Sequence, residues 1–130
     1  MSFDPPSSFA DRRAYYRITV MLPMCLQAET DDTQRELLEQ SVNLSGGGIG
    51  VVVNILYEPQ AILTLTMRFP DQVLFRASIE VLRVDLIEAH HIRTYRLHAR
   101  FVKMPAQHRE LLIQYIMRFQ REHLARHYSA

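Results

Sequence analysis

From Tyr15 to about Val102 the chain is written in apolar runs that alternate with polar residues and are broken at intervals by turn chemistry. A period of two puts every second side chain on one face of a sheet. Ala77, Ile79 and Val81 share one parity and Ser78 and Glu80 the other, as in a strand with one dry and one wet face. Strands are therefore predicted over Tyr15–Gln27, Ile49–Asn54, Ala61–Phe69, Val73–Asp85 and Ile92–Lys103. Turns are marked by Asp31-Asp32, Glu58-Pro59, Pro70-Asp71 and His90-His91. Pro23 lacks a backbone donor, so it suggests a sheet edge or a bulge within the first strand. Gln34–Gln40 is ambiguous, since its residues favour helix but it runs into the next turn as a strand would. A strand is assigned there.

After Pro105 the period changes. Leu111, Leu112, Tyr115, Ile116 and Phe119 form one helical stripe, with Arg109, Arg118, Arg121 and Glu122 largely off it. A helix over about 106–127 is predicted, with Pro105 suited to its start. Five or six strands followed by one amphipathic helix predict a mainly β fold, a small antiparallel barrel over about 14–103 with a C-terminal α-helix packed on it. Residues 1–10, with Pro5, Pro6, Ser7 and Ser8, read as a flexible N-terminal tail, and 11–130 as one domain.

Composition sharpens this picture at one place. The 130 residues are 48% hydrophobic and 22% charged with net charge +1, which excludes a disordered or fibrous chain. Only four glycines occur, where roughly nine would be usual, and all lie between positions 46 and 50. One cysteine, Cys25, excludes an internal disulfide framework and fits a reducing cytoplasm. The N-terminus, MSFDPPSSFADRR, places two prolines and an acid before its first basic residue, unlike a signal peptide. The uncharged stretch Ser41–Tyr57 holds all four glycines and several polar groups, so no membrane insertion is expected. Charge is uneven: residues 1–92 carry seven basic and twelve acidic groups, and residues 93–130 carry eight and two. Fourteen of the fifteen cations are arginine. Arginine suits bidentate contacts to phosphate or a purine edge, although the codon bias of a GC-rich genome explains the ratio equally well.

Two features could carry chemistry. In Asp11-Arg12-Arg13-Ala14-Tyr15-Tyr16-Arg17, Arg13 and Arg17 are four apart and share a face in a helical turn or a strand. Guanidiniums beside aromatic rings suit an anionic, planar ligand; an arginine cluster at the head of a strand fits the same residues. The second feature is Asn43-Leu44-Ser45-Gly46-Gly47-Gly48-Ile49-Gly50-Val51. Asn and Ser can cap such a turn, and glycine permits positive φ and can present amide donors to a phosphate or base edge. An ordinary tight turn between strands is the other reading. The run is neither a phosphate-binding loop ending in Gly-Lys-Ser/Thr nor a dinucleotide fingerprint, since no helix follows.

Taken together, R-x-x-x-R at Arg13 and Arg17 and N-x-S-x-x-G at Asn43, Ser45 and Gly48 resemble the PilZ family. The resemblance covers about residues 11–125 and includes the closing pattern YRLHARFVKMPAQHRELLIQYIMRFQRE. It implies a six-stranded antiparallel PilZ-type β-barrel and a cytoplasmic receptor for cyclic di-GMP, with no enzymatic activity and no cofactor besides that ligand. Arg13 and Arg17 would clamp phosphate and guanine from a flexible arm, while Asn43, Ser45 and Gly48 hold the other guanine. Arg12 resembles members that bind two ligand molecules, and Arg83 stands at a position that can flank the bases. Three departures stand out: Asn43 where aspartate is commoner, His98 where the last strand often has glycine, and no glycine after Glu58-Pro59. The form RRAYYRI looks like domains of flagellar brake proteins.

The implied partners are cyclic di-GMP and an unidentified protein effector in motility, exopolysaccharide, biofilm or virulence control. The domain itself is expected to be a monomer or a homodimer. A PilZ-like interaction scaffold without nucleotide binding is the alternative. A nucleic-acid binder using the basic C-terminal third would need exposed aromatic rings on its strands, and nucleic acid is not an expected partner. His123 and His127 are four apart on the helix but lack a third ligand, so no metal is expected. Ser45 lacks a grouped histidine and acid, so no hydrolase is expected.

Overall fold

The computed structural model describes residues 17–129, with helical side chains described as far as His123. Six strands form in chain order: β1 (Ile18–Ala28), β2 (Leu38–Leu44), β3 (Gly48–Val53), β4 (Ile62–Phe69), β5 (Val73–Ala89) and β6 (Ile92–Lys103). One helix, α1 (Ala106–Ser129), follows. All strand pairs are antiparallel and close into a barrel in the order β1-β2-β3-β6-β5-β4. Closure removes the free edges that a small sheet would otherwise expose. The mainly β barrel with a C-terminal helix is thus as the alternation predicts.

The alternation sorts inside from outside. Val42, Leu44, Leu65, Met67, Phe75, Ile79, Val81 and Leu97 are fully buried within the barrel. Helix α1 closes the end where β1 starts and β6 finishes. Its Leu112 and Ile116 enter the core, and Tyr115 stacks on Phe69 with ring centroids 4.7 Å apart. Burying each such aliphatic side chain stabilises the fold by about 1.5–3 kcal/mol. At the head of the helix, the Arg76 backbone N–H donates to His108 Nδ1 at 3.0 Å, which fastens the first turns to β5.

Several boundaries differ from expectation. The second strand is Leu38–Leu44 rather than Gln34–Gln40, because its register on β1 (Leu38 opposite Met24, Leu44 opposite Ile18) buries Val42 and Leu44. Residues 31–37 instead form a loop. Thr33 N–H donates to Asp31 Oδ1 at 3.0 Å, Arg35 pairs with Asp31 at 2.8 Å, and the buried Gln27 amide donates to the Thr33 carbonyl. The Thr33 amide hydrogen bond is the main cause holding the Asp31 carboxyl below its ordinary pKa.

Pro23 lies at a local edge of β1, as its missing donor suggests. β1 pairs with β2 through Met24, and its pairing with β4 begins only at Met24, so at Pro23 one side has no partner strand to bond. The expected fifth strand, Val73–Asp85, runs on to Ala89 and forms a long hairpin with β6. Its two-residue turn is His90-His91, both at positive φ (51° and 65°), the geometry that matches strand twist but usually takes Asn-Gly.

Candidate functional site

The glycine turn joins β2 to β3 and is tied from within. Ser45 is buried, and its Oγ accepts the N–H groups of Gly47 and Gly48 at 3.2 and 3.1 Å. Ser45 N–H donates to Gly48 O at 3.0 Å, and Phe101 N–H to Gly47 O at 3.0 Å. From α1, Arg109 reaches the Gly46 carbonyl at 3.4 Å. Two expectations are corrected here. No glycine has a positive φ, and the amides of Gly47 and Gly48 turn toward the serine hydroxyl rather than outward. Glycine is required at position 48 for space, since a Cβ there would collide with the carbonyl oxygen of Ala99 on β6.

The outward face carries a row set by strand register. Thr19 on β1 opposes Asn43 on β2, Asn43 opposes Gly50 on β3, Gly50 opposes His98 on β6, and His98 opposes Arg83 on β5. Neighbours in such a row are about 4.8 Å apart, so Asn43 and Arg83 share one surface. Arg83 Nε donates to Asp85 at 3.1 Å, and its Nη2 lies 3.3 Å from His98 Nε2. A depression beside the row is lined by Thr19, Met21, Asn43, Gly50 and Arg96 among others.

Arg17 is exposed just before β1, two residues from Thr19 and therefore of the same outward parity. It borders a second groove with Thr19, Phe119, Arg121 and His123, between β1 and the C-terminal half of α1. Thr19 belongs to both depressions. A continuous surface thus runs from the cationic flank of α1 past Arg17 to Asn43 and on to Arg83. Arg17, Arg96 and Arg121 border it, with Glu39 in the same depression as Arg96 and Asp85 paired with Arg83, so cations outnumber carboxylates along it.

Of the sequence-predicted residues, Asn43, Gly48 and Arg83 meet around this surface, Ser45 holds the turn behind it, and Arg17 stands at its margin. Arg12 and Arg13 lie outside the described residues. Sequence reasoning missed Thr19, Arg96, Arg121 and the cross-strand place of Gly50 and His98. Only His98 left a signal, its position where the last strand often has glycine. Among the described residues no three metal-ligating side chains group together, no helix is long and apolar enough to cross a membrane, and no Phe or Tyr is exposed.

The sequence matches the PilZ domain family over residues 11–118. The chain belongs to the PilZ family. No curated protein sequence is significantly similar to it. The fold is similar to that of MotI/DgrA, the inhibitor of motility of Bacillus subtilis, with a TM-score of 0.65 and 21% identity. That match covers 83% of this chain and 51% of MotI/DgrA, so this PilZ chain spans about half the length of that relative. A tetrameric PilZ protein of Xanthomonas campestris, assembled through a helical bundle, matches with a TM-score of 0.67 and 12% identity over 91% of this chain and 99% of its own. The PilZ domain of YcgR from Escherichia coli, solved with cyclic di-GMP, matches with a TM-score of 0.64 and 18% identity over 92% and 99%. At these identities the structures share the barrel and helix. The family itself is one of cyclic di-GMP receptors.

Proposed function

We propose that this PilZ domain binds cyclic di-GMP on the surface between Arg17 and Arg83 and passes the binding event to a protein partner. The observation that carries the reading is the continuity of the Arg17 margin, Asn43 and the glycine turn on one outward face. The ligand offers two phosphates and two guanines. Arg17, with Arg13 and Arg12 preceding it in the chain, supplies forks that match a phosphate oxygen pair or guanine O6 and N7. Asn43 supplies an acceptor and a donor to a guanine edge, while Ser45 and Gly48 keep the turn low enough for the ligand to approach. Arg83 flanks the bases from β5.

The domain acts as a receptor rather than an enzyme. Ligand binding changes the conformation of the domain, and the altered surface is what a partner recognises. Cyclic di-GMP in the YcgR domain and the motility function of MotI/DgrA support a role in motility control. The test is calorimetric titration with cyclic di-GMP, with cyclic di-AMP and GMP as controls. Low-micromolar binding is expected, equivalent to about −8 kcal/mol. Arg17→Ala should weaken it tenfold or more, since a charge-assisted hydrogen bond contributes about 1.5–3 kcal/mol. Full-strength binding by Arg17→Ala would remove that residue from the site, and equal affinity for GMP would refute the dinucleotide reading.

A further inference from the structure

We propose that the free edge of β5 beyond the barrel, from Val84 to Glu88, pairs antiparallel with the same edge of a second copy of this chain, about a two-fold axis at Leu86. Barrel closure leaves this stretch uncovered, because β5 outruns β4. The two strands pair only from Phe69 with Val73 to Ile62 with Glu80. Val81 is the last residue bonded on that side, its N–H donating to Ala61 O at 2.9 Å and its carbonyl accepting from Gln60 N–H at 2.7 Å. From Arg83 to Ala89, β5 is paired with β6 alone. Among the described residues no backbone hydrogen bond reaches that stretch from the β4 side.

The hairpin decides which residues face the edge. A two-residue turn is flanked by a pair that exchanges both backbone hydrogen bonds, and here the turn is His90-His91 and the pair Ala89 with Ile92. Alternating from there, Ile87, Asp85 and Arg83 bond to Thr94, Arg96 and His98. The bond from Phe101 N–H across to Gly47 O gives the same phase, since it turns His98, Arg96 and Thr94 away from β3 and toward β5. Val84, Leu86 and Glu88 therefore point their N–H and C=O groups outward from the sheet edge. Leu86 is 55% exposed and Leu82 53%, so no loop covers them. Edges of this kind are commonly guarded by proline, lysine, a bulge or an inward charge. Residues 82–89 hold no proline or lysine, and the bulge between Val81 and Arg83 precedes the free stretch. The one charged side chain among the three, Glu88, is held by Arg93 at 3.2 Å.

A second copy fits because a two-fold axis makes one edge the complement of itself. Register selects the axis. With Leu86 opposite the partner's Leu86, Val84 falls opposite the partner's Glu88, and every donor of the three residues meets an acceptor. Leu86 and Val84 of both copies then share one apolar strip. With the axis at Asp85 instead, two carboxylates would oppose each other directly, and such like-charge pairs are destabilising. Shifted toward the turn, Val84 loses its partner residue; shifted toward the barrel, the strand meets Gln60 and Ala61, which already bond to Val81. A two-fold axis perpendicular to the sheet keeps both outward faces on one side. The two surfaces from Arg17 to Arg83 would thus look the same way.

The experiment follows sedimentation and backbone-amide exchange of the whole chain from micromolar to millimolar concentration, beside Leu86→Lys and Leu86→Pro, with circular dichroism and thermal melts throughout. The parent should form a weak dimer, since the shared edge is shorter than a standard interface. Exchange at Val84, Leu86 and Glu88 should slow at least tenfold across that range, while Arg83, Asp85 and Ile87, bonded within the chain, stay unchanged. Leu86→Lys should weaken the dimer at least tenfold. Leu86→Pro removes an N–H that no bond within the chain uses, so it should abolish the dimer with the barrel still folded. A parent that stays monomeric at millimolar concentration overturns the proposal and leaves the edge to a strand of another protein. A dimer without protection at those three amides, or one that keeps full strength in a folded Leu86→Lys chain, is built elsewhere and equally overturns it. If neither variant folds, the alternation of protection along β5 in the parent decides.

Discussion

Gly48→Ala asks what the glycine turn contributes to the barrel. The new methyl would run into the Ala99 carbonyl oxygen and lie 3.2 Å from Arg100 Cα and 3.3 Å from the Ala99 carbonyl carbon. All three atoms are β6 backbone, so no change of rotamer relieves the collision. β3 and β6 must part where Gly48 pairs with Arg100, beside the 3.0 Å hydrogen bonds from Ser45 to Gly48 and from Phe101 to Gly47. Overpacking costs about 1–3 kcal/mol, and a loosened hydrogen bond adds about 0.5–1.5 kcal/mol. Stiffening the unfolded chain offsets about 0.4–1 kcal/mol. The expected net loss is about 0.5–4 kcal/mol, read by urea denaturation followed by circular dichroism. A change within the roughly ±0.5 kcal/mol of a surface substitution would refute the close approach of β3 to β6.

Two further substitutions probe the frame around the site. Ser45→Ala leaves the Gly47 and Gly48 amides without their acceptor, and a loss of about 1–2 kcal/mol, as for a removed cap, is expected in the same denaturation assay. No loss would mean that water replaces the hydroxyl. Replacing His90-His91 by Asn-Gly at the β5–β6 hairpin relieves two positive-φ side chains, and should raise stability by about 1–2 kcal/mol. An unchanged or lower melting temperature would show that the two histidines make compensating contacts.

The barrel was legible because its determinant is local. Alternation in residues such as Ala77, Ile79 and Val81 assigns faces without knowledge of partners, and Ile92–Lys103 falls where the pattern puts it. Gln34–Gln40 was misplaced because helix-favouring side chains carry no record of the β1 register, and it is pairing with β1 that makes Leu38–Leu44 the strand. Pro23 was legible because its missing donor is a local property, and it sits where β1 still pairs with β2 but has not yet gained β4 on its other side. The site divides along the same line. The spacing of Asn43, Ser45 and Gly48 is visible in the sequence, whereas Gly50 meets His98, and His98 meets Arg83, only through pairings between residues far apart in the chain. The direction of the Ser45 hydroxyl was likewise unreadable, because a serine before glycines can face either the turn or a ligand.

The central claim is that one outward face, from Arg17 to Arg83 past the glycine turn, receives cyclic di-GMP. The most direct measurement is an NMR titration of the isotope-labelled chain that follows each backbone amide. Perturbations should gather on Thr19, Asn43, Gly46 to Gly50 and His98, and saturate at one common affinity. Shifts confined to the opposite end of the barrel, around Leu38, Ile55 and Thr94, or no shifts at millimolar ligand, would contradict the account.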